Sequence, residues 1–237
     1  MFFPLFQFEA VSARAVQQGL QQLFERWGLP QAVRVDNGQP WGCRSDLPSE
    51  LMLWLIGLGV AVIHNRPYQP TDNARIERTH GTTKAWVEPS QCPDLTTLQQ
   101  RLDWSANVQR AQYPSCSGYS RQQCYPQLTA NPRRYSQPLE AQQWSLTRVL
   151  TFLAPQRWVR KVDSTGRISL FNRSYPVGRR FQAHWVYVHL DVTSLCWVIE
   201  SAQGEILSSP PSCELSAQTI RELRVLYRKP SRQRRPA

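Results

Sequence analysis

A chain of 237 residues, 41% apolar and carrying nine Trp, has enough nonpolar side chain to bury a core, and at this length two domains are expected. This composition excludes a disordered chain. The longest uncharged apolar run, residues 51–63, is thirteen residues with Gly57 and Gly59 inside it, short of the about 20 that a bilayer crossing needs. The formal charge of +11 is unevenly placed: residues 1–110 hold ten Lys/Arg and ten Asp/Glu, residues 111–237 hold eighteen against seven. A basic excess confined to one half points to a polyanionic partner, nucleic acid ahead of an anionic membrane surface.

In chain order, residues 2–10 are aromatic with rough alternation and read as a strand. Ser12 opens an amphipathic helix with Val16, Leu20, Leu23, Phe24 and Trp27 on one face, ended by Gly28 and Pro30. A short strand over 33–36 closes at Asn37-Gly38. Asp46 and Pro48 mark the start of a buried helix carrying Leu51, Leu55 and Leu58, and residues 60–63 form a second buried strand. This β-α-β-α-β order predicts a layered α/β domain. The loop 65–72 ends at three candidate N-caps, Thr71, Asp72 and Asn73, before a helix over 74–87.

Two carboxylates stand out in this stretch, Asp36 at the end of a strand and Glu77 just inside a helix, 41 residues apart. Glu77, His80 and Lys84 share one helix face by their i, i+3, i+7 spacing. Two readings stand for each: Asp36-Asn37-Gly38 is a common turn sequence and the helix face a self-paired, solvated surface, or both line a cleft where a divalent metal could sit.

After the core, residues 95–104 predict a helix with Leu95, Leu98 and Leu102 as its apolar side. Residues 113–143, rich in Pro, Ser, Gln and Tyr with Arg121, Arg133 and Arg134, read as a connector with partial order or as an extended one. Five short strands are expected at 158–162, 167–171, 185–190, 195–200 and 205–207, and five strands in about 50 residues favour a small closed barrel. Arg157, Arg160, Lys161, Arg167, Arg173, Arg179 and Arg180 crowd its first half, a density suited to phosphate contact or to a solvated basic surface. A helix over 216–227, with Ile220, Leu223 and Leu226 on one side, leads to a basic tail.

The six cysteines, at 43, 92, 116, 124, 196 and 213, show no C-x-x-C pair and no His pair at zinc spacing, so they read as free thiols in a reducing compartment. The N-terminal MFFPLFQFEA lacks a basic flank and carries Pro4 and Glu9, unlike a signal peptide. A cytoplasmic, nucleoid-associated protein with no membrane partner is expected.

The residues V-D-N-G-x-P-W-G from Val35, the R-P-Y-x-P from Arg66, and N-A-x-I-E-R-T-H-x-T-x-K from Asn73 to Lys84 resemble the catalytic core of DDE transposases and retroviral-type integrases, bacterial insertion-sequence transposases above all. The likeness continues through R-x-x-x-Y-P-x-L from Arg121 and W-V-R-K-V-x-x-x-G-R-I-S-L-F-N-R-S-Y-x-V-G from Trp158, and so covers nearly the whole chain. It implies an α/β fold: an incomplete RNase H-like core over 1–110 without its first strands, a linker with partial helix over 111–150, a small SH3-like, DNA-binding β-barrel over 151–210, and a short helix and basic tail over 211–237.

In that family three carboxylates hold two divalent ions, Mg2+ or Mn2+, that activate the attacking hydroxyl for phosphodiester cleavage and strand transfer. The resemblance makes Asp36 the second carboxylate and Glu77 the third, both catalytic and metal-binding, and Lys84 a phosphate contact. Arg78 and His80 follow as DNA-facing residues, with Asn37 and Arg66 beside them, and Arg160, Lys161, Arg167 and Arg173 as contacts from the barrel. The first carboxylate has no counterpart, Glu9 being the only nearby upstream acid, and no N-terminal helix-turn-helix is present. The chain is therefore expected to be inactive alone. Its expected partners are double-stranded DNA, both transposon ends and target, and a homo-oligomer or a mixed oligomer with full-length transposase. A non-catalytic DNA-binding remnant or regulator of such a transposase is the alternative.

Overall fold

The computed structural model describes residues 12–42, 46–129 and 131–228. The strand expected at 2–10, Glu9 and most of the basic tail lie outside them. The fold is mixed α/β, with helices and small sheets, and it divides into two units: Met1–Trp41 with Val60–Gln143, and Gly42–Gly59 with Trp144–Ala237. The segment between the first two strands thus folds with the C-terminal half.

In the first unit, helix α1 (Ala13–Trp27) begins where the Ser12 hydroxyl accepts the Ala15 N–H and buries Val16, Leu20 and Phe24. It stops at Gly28, whose φ of 76° and position suit no larger residue: a Cβ there would lie 2.8 Å from the Arg133 carbonyl oxygen. Strands β1 (Ala32–Val35) and β2 (Ala61–His64) are parallel, registered Ala32 to Ala61 and Val35 to His64. Both are shifted by one residue from their expected spans, which leaves Asp36 just beyond the ladder.

Helix α3 (Ala74–Val87) packs on helix α4 (Leu95–Ala111). The α3–α4 contact includes buried polar side chains. Gln109 donates to Thr83 Oγ1 at 2.9 Å and lies 3.4 Å from Ser105 Oγ, all three buried, whereas Leu95 is exposed. Trp86 sits against Trp104 and Tyr113 at ring distances of 6.3 and 5.5 Å.

The stretch after α4 is ordered on its own unit. It holds the one-turn helices α5 (Arg121–Cys124), with a Ser120/Gln123 capping box, and α6 (Glu140–Gln143). Residues 131–143 dock on α1 and the segment after it. Asn131 and Arg133 donate to the carbonyls of Leu29 and Pro30, Gln137 N–H donates to Glu25, and Tyr135 packs edge-on against Phe24 and donates to the buried Glu140. An extended connector is excluded for these residues.

The second unit is built on α2 (Glu50–Gly57), which starts at Ser49, the acceptor of the Met52 N–H, and not at Asp46 or Pro48. A serine hydroxyl in reach of that third amide defines the cap. Leu51, Leu53, Trp54 and Leu55 are all buried, so the helix is apolar nearly all round. It packs on α7 (Leu146–Leu153): Ser145 N–H and Arg148 donate to the Gly57 carbonyl, and the Trp144 indole donates to Trp54. A Cβ on Gly57 would stand 2.0 Å from the Trp144 ring, so only glycine permits this approach.

Strands β3 (Trp158–Lys161), β6 (Trp185–Asp191), β7 (Cys196–Glu200) and β8 (Ile206–Ser208) form one antiparallel sheet in the order β3-β6-β7-β8. A separate hairpin pairs β4 (Arg167–Leu170) with β5 (Arg173–Pro176). The strand β5 was not anticipated, and among the described residues the ladders do not close into a barrel. Trp158, Phe171 and Trp197 form the aromatic centre of this unit. Helix α8 (Ala217–Arg221) is shorter than expected because Leu223 adopts a left-handed backbone (φ 52°), yet Ile220, Leu223 and Val225 remain buried. No helix of the described residues is long and apolar enough to cross a membrane.

Candidate functional site

The two carboxylates singled out by sequence are borne by one scaffold in the first unit. Asp36 is exposed, and its Oδ1 accepts the Gly38 N–H at 3.1 Å, so it caps its own turn. Asn37 donates to the Asn65 carbonyl at 3.0 Å, and the Asn65 N–H returns to Val35 at 2.9 Å, locking the ends of β1 and β2 together. Asn65 is buried. Its side-chain amide donates to Asn73 Oδ1, and the Asn73 carbonyl accepts the Glu77 N–H at 3.0 Å. A relay of three asparagines therefore connects the turn carrying Asp36 to the first turn of α3 carrying Glu77. Asn65 Oδ1 has no hydrogen-bond partner among the described residues.

The loop before α3 is fixed by Asp72, one of the three candidate N-caps, which pairs with Arg66 instead of capping. Asp72 accepts the main-chain N–H of Arg66 at 3.0 Å and its guanidinium at 2.8 and 3.2 Å, with Arg34 of β1 3.8 Å away. These hydrogen bonds from Arg66 hold the Asp72 carboxyl down, from 3.8 to about 2. Arg66 is therefore committed to its own chain. Asn73 is the capping residue by position but makes no side-chain cap bond, its Oδ1 being used by Asn65.

Glu77, Arg78, His80 and Lys84 are all exposed on α3, the buried face being Thr83 and Val87. No ion pair joins Glu77 to Lys84 or His80 among the described residues. Among the same residues, no group of three or more His, Cys, Asp or Glu side chains could hold a metal ion. Two exposed carboxylates fall short of the three-carboxylate set of a two-metal clamp, so no chemical step is assigned to a metal here.

The basic residues of the second unit separate into two kinds. Arg160 grips Asp46 through two hydrogen bonds of 2.7 and 3.2 Å. Arg167 donates to Ser174, and Arg173 lies between the fully buried Glu214 and the Tyr227 ring. Arg157 pairs with Glu200, and Arg228 with the buried Glu50. Arg228 and the Leu226 N–H offset part of the burial that pushes the Glu50 carboxyl up. The second kind is exposed: Lys161 stands over Trp185, Arg180 over Phe181, and Arg179 beside it, none with an acidic partner among the described residues.

Sequence reading gave Arg160, Lys161, Arg167 and Arg173 equal standing, whereas the structure leaves Lys161 outward and engages the other three. It passed over Trp185 and Tyr187, although the alternation W-V-Y-V-H-L, with Val186, Val188 and Leu190 turned inward, carried the signal. Cys92, Cys116, Cys124, Cys196 and Cys213 are unbonded thiols. No protein-family model matches the chain.

Proposed function

We propose that the chain is a DNA-binding protein of the DDE transposase lineage that engages duplex DNA through the outward cations of its second unit. The observation that carries this reading is the sorting of the basic residues: among the described residues Lys161, Arg179 and Arg180 face solvent without acidic partners, while Arg160 and Arg157 pair with Asp46 and Glu200 and Arg173 lies 3.9 Å from Glu214. Phosphate contact is the use to which exposed, unpaired cations in a basic unit are suited.

The lineage rests on the motifs around Asp36, Glu77 and Lys84. In this reading β1, β2 and α3 correspond to part of an RNase H-like core and β3–β8 to an SH3-like domain. The asparagine relay, which ties the Asp36 turn to the first turn of the Glu77 helix, supports reading these two as members of a carboxylate set whose third member would come from outside the described residues. In a completed set, Mg2+ or Mn2+ would supply Lewis-acid activation of water or a 3'-hydroxyl. Lys84, Arg78 and His80, exposed on the Glu77 helix, would bind the DNA strand presented there. Association with a second copy or a full-length transposase is part of the same proposal.

The test is binding of the full chain to a labelled duplex across a salt series. Steep salt dependence is expected, and Lys161→Ala, Arg179→Ala and Arg180→Ala together should reduce the log–log slope by about three, at ~0.9 per phosphate contact. Salt-independent binding, or an unchanged slope in the triple variant, would overturn the reading.

A further inference from the structure

We propose that the outer face of strands β3 and β6 is a stacking surface for the unpaired bases of a single-stranded nucleic acid. The proposal rests on the nucleic-acid reading above but assigns a different ligand form to the aromatic rings that stand beside two of the same cations.

Strand β6 turns Val186, Val188 and Leu190 inward and presents Trp185 and Tyr187 on its other face, 59% and 41% exposed. The register sets Lys161 opposite Trp185 and Val159, itself 45% exposed, opposite Tyr187. The Lys161 ammonium lies 5.9 Å from the Trp185 ring centre. Main-chain bonds between Val162 and both Ala183 and His184 bring Phe181 to the same end, with the Arg180 guanidinium 4.7 Å from its ring. Further along β6, His189 stands beside Arg157 and Glu200. The face therefore combines flat, exposed rings with cations at their margins.

Spacing selects the ligand. Two residues along a strand separate Trp185 from Tyr187 by about 6.8 Å. That is twice the ~3.4 Å step of a stacked duplex strand. Paired, stacked bases cannot meet both rings, whereas a strand with splayed bases can lay one on each, because every base has a π face. Charge selects it again: residues 144–237 hold fifteen Lys/Arg and six Asp/Glu, so a polyanionic backbone is drawn to the same surface. The alternative occupant, an acidic peptide, shares the charge, but its Asp and Glu side chains carry no π face to lay on two separate rings as a base does.

The experiment uses the full chain and four probes of matched charge: oligo-dT, an abasic strand, a hairpin duplex and a poly-glutamate peptide. Trp185→Ala and Tyr187→Ala should each weaken oligo-dT binding about tenfold, within the range of one lost base–ring stack, and leave duplex affinity within about twofold. Trp185→Phe, which keeps a ring and guards against a folding defect, should retain most of the affinity, and the abasic strand should not distinguish Trp185→Ala from the parent. Unchanged oligo-dT binding, equal losses on abasic strand and duplex, or a matching loss on poly-glutamate would overturn the proposal. Trp185-dependent binding of oligo-dT without duplex binding would uphold it and sink the duplex reading. Duplex binding with oligo-dT insensitive to Trp185 would do the reverse.

Discussion

The Trp144 indole N–H donates to the main-chain carbonyl of Trp54 at 3.0 Å, ninety positions away in the chain. This bond closes over Gly57, whose missing side chain makes room for the ring. A methyl group there has nowhere to go, because the obstacle is a rigid indole. Gly57→Ala should therefore destabilise the second unit by about 3 kcal/mol, the upper end for overpacking. Denaturant unfolding followed by Trp fluorescence measures it, and a loss confined to one of two transitions is expected.

Asp72 predicts an acid limb. Its carboxyl is held down from 3.8 to about 2 by Arg66, so the folded state binds that proton less readily than the unfolded one. The contribution is present above 3.8 and lost as pH falls through about 2. Thermal melts between pH 5 and about 2 should show the parent and Asp72→Asn converging at the acid end, the variant being less stable at neutral pH and flatter across this window.

Tyr175 predicts the opposite limb. Burial, then its 2.6 Å bond to Glu214, holds the phenol well above its ordinary 10.0. A raised value in the fold gives stability that is complete below 10.0 and is lost as pH rises beyond it. Tyr135, donating to Glu140, behaves alike. Tyr175→Phe should cost about 1–3 kcal/mol at neutral pH by leaving Glu214 short of a donor, and should lessen the alkaline fall seen by circular dichroism.

The β4–β5 turn yields a fourth expectation. Phe171 and Asn172 both have left-handed backbones, φ 49° and 60°, as a two-residue type I′ turn requires. Asn tolerates this conformation and β-branched residues do not. Asn172→Val should lower stability by about 1–2 kcal/mol, read from the denaturation midpoint, whereas Asn172→Gly should be tolerated.

That turn also explains why β5 was invisible in the sequence. A hairpin is ordinarily announced by Asn-Gly or Asp-Gly, and Phe171-Asn172 is neither, so the strand expected over 167–171 carried no signal of a returning partner. Helix α1 was legible because its cap, its apolar stripe and its terminating glycine agree. The docking of residues 131–143 was not, since it depends on side chains such as Asn131 and Arg133 reaching carbonyls about a hundred positions away. The link from the turn carrying Asp36 to the helix carrying Glu77 through Asn65 was half legible: the motif named the ends, but Asn65 looked like a loop residue. The commitment of Arg160 and Arg173 was hidden for the same reason, their acids being Asp46 and Glu214, far off in the chain.

The allocation of residues 42–59 to the C-terminal unit governs how the molecule can be taken apart. A fragment starting at 111 or 144 would carry the whole sheet but lack α2, stranding Leu153 and the Trp144 ring without their apolar cover and Arg228 without Glu50. Such a fragment should behave as a sticky, partly folded species whose nucleic-acid binding says little about the intact chain. The separable piece is discontinuous: residues 42–59 must be supplied in trans or spliced ahead of Trp144 by permutation before the sheet can be studied alone.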